Sequence, residues 1–449
     1  MTHHVYKKLF FHLLSGLAES HLELVCPEQT YTFGAPEEGL KAMVVVHNDR
    51  FFKRAVLGGD TGMGEAFMQG DWSSPDLVSV VRLAVRNLDR LGNGKRIFST
   101  LSSIADAIHH RFRANTVSGS RRNIAQHYDL GNDFYRLFLD RSMAYSCGYY
   151  QKPGDSLEQA QLNKYERICR HLRLQPSDHL LEIGTGWGGF AAYAATNFGC
   201  RVTTTTISRQ QYDYAQPLFQ QSPETRSRTT LLLEDYRNLR GQFDKLVSIE
   251  MFEAVGLQYY DTYFGACDRL LKPDGLMFLQ AITMNDQKFS SYRKRSDWIQ
   301  KYIFPGAELA SVAEVFKSLG RSTQLSLHQA DDIGLHYAET LKAWRERFLT
   351  RAADVYALGF DDDFVRMWEY YLAYCEGAFR EGYVGELQLL LKKRGASLEL
   401  FRKATSVSDR SELRHRNYVS HQVADAARSR FWPNGPATEP GQRRASVKE

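Results

Sequence analysis

The segment 179–190 brings four glycines and one carboxylate close together, in the sequence HLLEIGTGWGGF. Gly184, Gly186 and Gly188 allow the backbone to pass close to a ligand at points where a β-carbon would collide. The apolar residues before the glycines predict a strand, and the alanines after them predict a helix whose free N–H groups can bind a carboxylate or phosphate. The segment therefore predicts a binding site for a small polar molecule.

Two kinds of ligand fit glycines at this spacing. Gly184, Gly186 and Gly189 satisfy the GxGxxG pattern of dinucleotide sites, but such a site needs an acidic residue at the end of the second strand. Here the second predicted strand ends in Thr and Ser residues, in the segment 202–208. Glu182 would repel a pyrophosphate but suits a cofactor that carries an ammonium group. These residues favour S-adenosylmethionine over a dinucleotide.

The apolar spacing between about 160 and 285 predicts alternating helices and strands. The predicted strands are 179–184, 200–206, 244–249 and 275–282, and the predicted helices are 157–173, 188–198, 208–220 and 258–271. This alternation is typical of an α/β fold with a Rossmann-like, doubly wound, mostly parallel sheet. Ligands bind beyond the carboxyl ends of such strands, where we expect Gly184, Thr206, Glu250 and Gln280 to meet.

Other parts of the chain predict smaller structures around this sheet. Residues 1–75 predict a mixed α/β region with an N-terminal helix, several strands and a helix that begins at Gly62. Residues 76–113 predict helix and lead into a basic stretch. Residues 286–380 predict an aromatic, helical cap, and 386–392 predict a late strand. We expect three parts: an N-terminal domain with its linker (1–115), a catalytic domain (116–400) and a basic, disordered tail (401–449).

Composition narrows the class of protein. The 449 residues include 43% hydrophobic and 24% charged residues, with a formal charge of +5, which is typical of a globular protein and does not indicate a nucleic-acid partner. Six cysteines without CxxC pairs argue against a metal site or a disulfide framework and favour a reducing cytoplasm. The N-terminal stretch predicts a helix, not a signal peptide, and no apolar run is long enough to span a membrane. Any membrane contact should be peripheral.

Six motifs form a specific combination along most of the chain. They are QHYDLGNDFY at 126–135, MAYSC at 143–147, the glycine loop at 182–189, TIS at 206–208, MFEAVG at 251–256 and KYIFPG at 301–306. The combination resembles the cyclopropane-fatty-acyl-phospholipid synthases and the related mycolic acid cyclopropane synthases, which are S-adenosylmethionine-dependent methyltransferases. The resemblance implies a class I methyltransferase fold. It also implies methyl transfer to the double bond of an unsaturated acyl chain in a membrane phospholipid.

The resemblance assigns residues to the cofactor and to the reaction. The cofactor residues that it implies are Tyr145, Ser146, Gly184, Gly186, Thr206, Gln211, Glu234, Asp235 and Tyr236; Glu182 and Gly188 join them from the loop itself. The resemblance implies that a bicarbonate ion acts as the base, held at Cys147, Glu253, Ile282 and Tyr337. Aromatic side chains at Tyr145, Tyr302, Phe304 and Tyr337 would face a carbocation. No metal is implied.

One departure from the family pattern leaves the product open. Gln280 stands where the better-known bacterial members have a histidine, and a glutamine can hydrogen-bond an anion but cannot carry a proton. The segment 250–256 together with Gln280 is similar to plant-type synthases and to relatives that make methyl- or methylene-branched chains. The expected product is therefore a cyclopropane or a branched chain. A methyltransferase for a soluble natural product or sterol, and an inactive lipid-binding relative, are the remaining alternatives.

The family precedent also suggests where the protein works. A small N-terminal domain would serve lipid access or homodimer formation, and the basic residues around 111–122 and in the tail would favour an anionic bilayer. We expect a cytoplasmic protein that associates peripherally with the inner face of the membrane.

Overall fold

The computed structural model describes residues 2–18, 20–35, 39–88, 130–294 and 297–396, and its strands form two separate sheets. The N-terminal elements are α1 (Thr2–Leu14), β1 (Ser20–Val25), β2 (Thr30–Gly34), β3 (Leu40–Val46), α2 (Arg50–Met68), β4 (Trp72–Ser73) and α3 (Leu77–Arg86). Their strands pair in the order β2-β1-β3-β4. The predicted N-terminal helix and strands are confirmed. Helix α2 is kinked at Gly59, which has a non-helical φ of 59°, so its second segment begins close to the expected Gly62 while its first segment begins at Arg50. Gly58 and Gly59 concealed its first turns, because glycine disfavours a helix interior.

The larger part of the chain contributes twelve α-helices and eight strands within the described residues, besides three short 3-10 helices at Tyr236–Asn238, Phe252–Ala254 and Leu257–Tyr259. In chain order they are α4 (Asn132–Arg136), α5 (Leu157–His171), β5 (His179–Ile183), α6 (Gly189–Phe198), β6 (Arg201–Thr206), α7 (Arg209–Gln220), α8 (Pro223–Arg228), β7 (Thr229–Leu233), β8 (Phe243–Ile249), α9 (Tyr260–Leu270), β9 (Leu271–Met284), α10 (Asp286–Tyr292), α11 (Trp298–Tyr302), β10 (Ala310–Ser311), α12 (Val312–Ser322), β11 (Ser326–Asp332), α13 (Gly334–Thr350), α14 (Ala352–Ala357), α15 (Asp362–Arg380) and β12 (Val384–Lys392).

The larger sheet has the strand order β11-β12-β9-β8-β5-β6-β7, with β10 paired to β9. Strands β5 to β9 run parallel, whereas β12 is antiparallel to β9 and β11 is antiparallel to β12. The predicted α/β, mostly parallel fold is confirmed. Sequence spacing missed β7, β10 and β11, because β10 has two residues and the other two are partly exposed edge strands.

The order of the parallel strands reverses at β5, which has β6 on one side and β8 on the other. Ligands bind at this point of a doubly wound sheet, outside the carboxyl ends of the strands. Gly184 follows β5 and Glu250 follows β8, so both lie at the reversal. Gln280 lies within β9, paired in register with Ile249.

Helices α10 to α15 form the predicted aromatic cap. A buried cluster of rings fills its interior, with the Phe134 ring centroid 4.7 Å from Trp368 and Trp368 5.3 Å from Tyr371. The same apolar cluster continues into the N-terminal elements through residues such as Phe51 of α2 and Trp72 of β4. The cap and the N-terminal elements therefore share one core within the described residues.

The predicted domain limits stay predictions. The boundary between 115 and 116, the basic residues around 111–122 and the tail 401–449 lie outside the described residues. None of the described helices is long and apolar enough to cross a membrane.

Helix α2 meets the cap at a glycine. A β-carbon built on Gly64 would lie 2.5 Å from the Trp298 indole and 2.9 Å from the Tyr370 ring. Both rings are buried, so the absence of a side chain at Gly64 allows the helix to contact them.

We expect Gly64→Ala to lower the free energy of unfolding by about 1–3 kcal/mol, because its methyl group must displace a packed indole. Gly58 is an exposed position of the same helix, where a β-carbon meets no atom within 4 Å. Gly58→Ala is the matched control and should change stability by no more than about 0.5 kcal/mol. Urea unfolding of both variants measures the difference, and equal effects would contradict close packing of α2 on the cap.

Candidate active site

A cavity of about 350 Å³ opens at the carboxyl ends of the central strands. Residues of the glycine loop and of the segments that follow β6, β7 and β8 form its polar wall. Its apolar wall comes mainly from the cap and includes Phe304, Tyr337, Tyr371, Tyr374 and Phe379. The cavity therefore joins a polar region to an aromatic one.

The glycine loop has backbone angles that favour glycine. Gly184 has a φ of 105° and its β-carbon would lie 3.0 Å from the Met251 side chain, while Gly186 has a φ of 52°; both glycines line the cavity. Gly188 does not line it. It precedes α6 with a φ of 92°, and a β-carbon there would lie 2.9 Å from Phe219. Gly188 therefore allows the start of α6 to pack closely against Phe219.

Glu182 lies at the polar end of the cavity as a buried carboxyl group. The Thr204 hydroxyl donates to Glu182 Oε2 at 2.6 Å. Burial raises the pKa of Glu182 to about 8, a shift that the Thr204 hydrogen bond partly opposes. A cation placed beside this carboxyl would stabilise its charged form. The loop and Glu182 thus fit the ammonium group of S-adenosylmethionine.

The remaining residues expected to bind the cofactor all line the cavity. The Thr206 hydroxyl donates to Gln211 Oε1 at 2.8 Å, which fixes both side chains beside β6. Asp235 is buried and accepts two hydrogen bonds from the Arg237 guanidinium, at 2.8 and 2.6 Å. Its neighbours Glu234 and Tyr236 complete this part of the wall.

Tyr145 and Ser146 lie where the polar and aromatic regions meet. The Tyr145 and Tyr371 hydroxyl oxygens are 3.1 Å apart. Lys164, which is fully buried, donates to the Ser146 hydroxyl at 2.5 Å. Burial lowers the pKa of Lys164, and the negative charge of Glu250 is the largest opposing effect.

The Glu250 carboxylate is the centre of a hydrogen-bond network in the cavity wall. Its Oε1 accepts from the Cys147 backbone N–H at 2.7 Å and from Gln280 Nε2 at 2.8 Å. Its Oε2 accepts from the Tyr337 hydroxyl at 2.7 Å. Cys147 and Tyr337, which the family resemblance assigns to a bicarbonate ion, therefore donate to a side chain of this chain, and Gln280 does the same.

The backbone of Glu250 is strained. Its φ is 48°, in the left-handed region that costs a non-glycine residue about 1–2 kcal/mol. Its N–H donates to the Gln280 carbonyl at 2.8 Å, which holds the residue against β9. Such strain persists only where the surrounding structure enforces it.

Gln280 and Cys147 are fully buried and lie behind Glu250 instead of lining the cavity. Gln280 Oε1 accepts from Gln388 Nε2 at 2.9 Å, and Gln388 Oε1 accepts from Arg167 Nε at 2.8 Å. A chain of hydrogen bonds thus runs from Arg167 to Glu250 through two amides.

Glu253 and Ile282 lie next to each other in the cavity wall. The Ile282 backbone N–H donates to Glu253 Oε1 at 2.5 Å, and Glu253 Oε2 is buried without a partner. Burial, followed by the negative charge of Glu250, raises the pKa of Glu253 to about 8. An unpartnered buried oxygen in a cavity wall is a site where a ligand group can bind.

A third carboxyl group, Glu386, lies near these two. It is fully buried and neither of its carboxyl oxygens has a hydrogen-bond partner. Burial and the charges of Glu250 and Glu253 raise the pKa of Glu386 well above its usual range. Its protonated form is therefore favoured.

Most of the aromatic residues expected near a carbocation line the cavity. Tyr145, Phe304 and Tyr337 do so, and the Tyr337 ring stacks on Phe379 at 4.6 Å. Tyr302 does not line it, because its hydroxyl donates to Glu65 of α2 at 2.8 Å.

Sequence reasoning missed three parts of this site. It placed Glu250 at a strand end without a role, although two glutamates three positions apart after a buried strand are an available signal. It took 386–392 only as a strand, and it did not identify the cavity-facing residues of α15. Within the described ranges, no group of three or more His, Cys, Asp or Glu side chains is arranged to hold a metal ion.

Comparison with known proteins agrees with this geometry. A model of the family described as mycolic acid cyclopropane synthetase matches residues 116–389. Tuberculostearic acid methyltransferase UfaA1 of Mycobacterium tuberculosis (strain ATCC 25618 / H37Rv) is 37% identical over 381 residues, which cover 83% of this chain and 88% of that protein. The cyclopropane-fatty-acyl-phospholipid synthase of Escherichia coli (strain K12) is 38% identical over 350 residues, covering 76% and 85% of the two chains.

A solved structure extends the comparison to three dimensions. The mycolic acid cyclopropane synthase CmaA1, complexed with SAH and CTAB, is similar with a TM-score of 0.57 and 31% identity, covering 61% of this chain and 98% of that chain. The family match includes the glycine loop and the segments that carry Glu250, Glu253 and Tyr337. The chain therefore belongs to the mycolic acid cyclopropane synthetase family and is an S-adenosylmethionine-dependent C-methyltransferase.

Proposed function

We propose that this enzyme transfers a methyl group from S-adenosylmethionine to the double bond of an unsaturated fatty acyl chain in a membrane phospholipid. The observation that carries the proposal is a single cavity whose polar wall holds Glu182 and the glycine loop, and whose other wall combines aromatic rings with carboxyl groups. Two relatives support an acyl substrate, since one is a cyclopropane-fatty-acyl-phospholipid synthase and the other a tuberculostearic acid methyltransferase.

The polar wall would hold the methyl donor. Glu182 would bind the ammonium group of the cofactor, and Gly184 and Gly186 would contact its methionine portion. Thr206 and Gln211 would bind near the ribose. Glu234, Asp235 and Tyr236 would flank the adenine. When bound, the cofactor supplies an electrophilic methyl group.

The aromatic wall would hold the acyl chain and stabilise the cation that forms on it. An alkene is a weak nucleophile, so the two carbons must be held in line with the methyl group. Ring faces such as those of Tyr337 and Phe379 attract a cation, and a closed apolar wall excludes water that would trap it. Glu253 Oε2, which is buried and unpartnered, adds a carboxyl oxygen beside this region.

Bicarbonate does not fit the donors that were expected to hold it. The Cys147 N–H, the Gln280 amide and the Tyr337 hydroxyl all donate to Glu250. An ion in the same place would have to displace a carboxylate that is fixed by three hydrogen bonds. No step of the proposed reaction therefore involves bicarbonate.

The proposed reaction is tested by incubating the full-length protein with S-adenosylmethionine and vesicles of unsaturated phospholipid. We expect acyl chains heavier by one CH2 group by mass spectrometry, and no change in matched vesicles of saturated phospholipid. Glu253→Gln should lower the rate about tenfold or more, because the Ile282 N–H keeps the amide oxygen and a donating NH2 group then replaces the unpartnered Oε2. Hydrogenation of the product then distinguishes a ring, which resists mild reduction, from a branched alkene. Absence of any heavier chain would reject the proposal.

The role of Glu182 is tested by cofactor binding. Glu182→Gln should weaken S-adenosylmethionine roughly tenfold to a hundredfold in calorimetry, because a charge-assisted hydrogen bond to the ammonium group is lost. Methylthioadenosine lacks the amino acid portion, so its affinity should be equal in wild type and variant. A variant that loses affinity for both ligands would instead indicate a collapsed loop.

The proposed substrate also implies a location. We infer that the protein binds the inner face of the cytoplasmic membrane peripherally, and that it does so as a homodimer. An acyl chain within a bilayer can be reached only from the surface by a protein that lies there.

Liposome flotation tests this location. We expect the full-length protein to float with anionic vesicles at low salt and to be released as the ionic strength increases, because screening weakens attraction to the headgroups. Neutral vesicles are the matched control. A protein that stays at the bottom with both kinds of vesicle would contradict the inference.

A further inference from the structure

We propose that the Glu250 carboxylate is the base that takes the proton from the methylated acyl chain, in the place that family resemblance assigns to bicarbonate. The inference rests on the proposed function for its reaction. The structural observation, that a side chain of this chain fills an anion site, does not depend on the proposed function.

The first support is the set of donors around Glu250. Oε1 accepts from the Cys147 N–H and from Gln280, and Oε2 accepts from the Tyr337 hydroxyl. A backbone N–H, an amide and a hydroxyl that converge within 2.8 Å on two oxygens of one carboxylate form a complete oxyanion site. Glu250 also lines the cavity, so its carboxylate can meet the substrate.

The second support is the conformation of Glu250. Three non-glycine residues among those described have positive φ, and Glu250 is one of them. A glycine would adopt this φ without strain, but it would leave the three donors without an acceptor. Glu250 therefore supplies the carboxylate acceptor that a glycine at this position could not.

The third support is the state of the neighbouring carboxyl groups. Burial raises the pKa of both Glu253 and Glu386, and the charge of Glu250 adds to both shifts. Protonated neighbours do not repel a carboxylate. The three carboxyl groups can therefore hold a single negative charge, and the hydrogen-bond donors favour its location on Glu250.

The proton transfer balances without any further reactant. One C–H bond of the methylated acyl cation breaks, and the proton goes to Glu250 Oε2, which accepts a single hydrogen bond in the described structure. The electron pair of that bond closes a cyclopropane ring if the proton leaves the new methyl group. It forms a double bond if the proton leaves an adjacent chain carbon. Glu250 becomes a carboxylic acid and returns its proton to water after product release.

The binding test uses ¹³C-labelled bicarbonate and full-length protein without lipid. We expect Glu250→Gly to bind bicarbonate, because the three donors become free and glycine suits the local φ, whereas wild type should not bind it. Arg173→Gly is the matched control, since Arg173 is an exposed residue with a φ of 53° outside the cavity. Like wild type, Arg173→Gly should not bind bicarbonate. Bicarbonate binding by wild type would overturn the inference.

The activity test uses unsaturated phospholipid vesicles in buffer depleted of carbon dioxide. Wild type should keep its rate, and Glu250→Gln should lose about 10²–10⁴-fold, the usual contribution of a general base. Its affinity for S-adenosylmethionine should stay within threefold or so of wild type, which separates loss of the base from loss of the cofactor site. Added bicarbonate should raise the rate of Glu250→Gly but not that of Glu250→Gln, whose side chain still fills the site.

The two proposals fail in different ways. If wild type methylates lipid only when bicarbonate is supplied, or if Glu250→Gln keeps the wild-type rate, Glu250 is not the base although the proposed function holds. If wild type alters no acyl chain while Glu250→Gly alone binds bicarbonate, the proposed function fails and the side chain still occupies an anion site.

Discussion

The hydrogen bonds to the Glu250 carboxylate connect parts of the chain that are far apart in sequence. They join the end of β8 to the loop at Cys147, to the middle of β9 and to Tyr337 on α13. Because a half-buried carboxylate is costly without its donors, each of these segments must hold its position for the others to remain satisfied. The parallel sheet and the cap are thereby fixed to each other at the cavity wall.

The sequence predicts the sheet well because its central strands are buried. Strands β5, β6 and β8 are predicted to within one residue at each end, since they are mostly buried, rich in apolar or β-branched residues, and bounded by glycine or polar residues. Edge strands such as β11 have no such signal. Their residues are half in solvent, and only pairing with β12 makes them strands.

The candidate site was predictable where a motif has a local physical meaning. The glycine loop and Glu182 could be interpreted from spacing and charge alone. The network of Glu250 could not, because its donors come from positions 147, 280 and 337, and only the tertiary fold brings them together. Residue types alone would also place Gln280 against a free ion, whereas the fold places Glu250 between Gln280 and the cavity.

The two amides behind Glu250 have orientations that their neighbours dictate. An arginine can only donate, so the oxygen of Gln388 must face Arg167 and its nitrogen must face Gln280. The same rule turns the nitrogen of Gln280 toward Glu250. Arg167 is itself paired with Asp331 at 2.6 Å near the surface. A permanent positive charge is thus linked to the half-buried carboxylate of Glu250 by two aligned amide dipoles. Neither amide titrates, whereas a histidine at position 280 would change its charge near neutral pH.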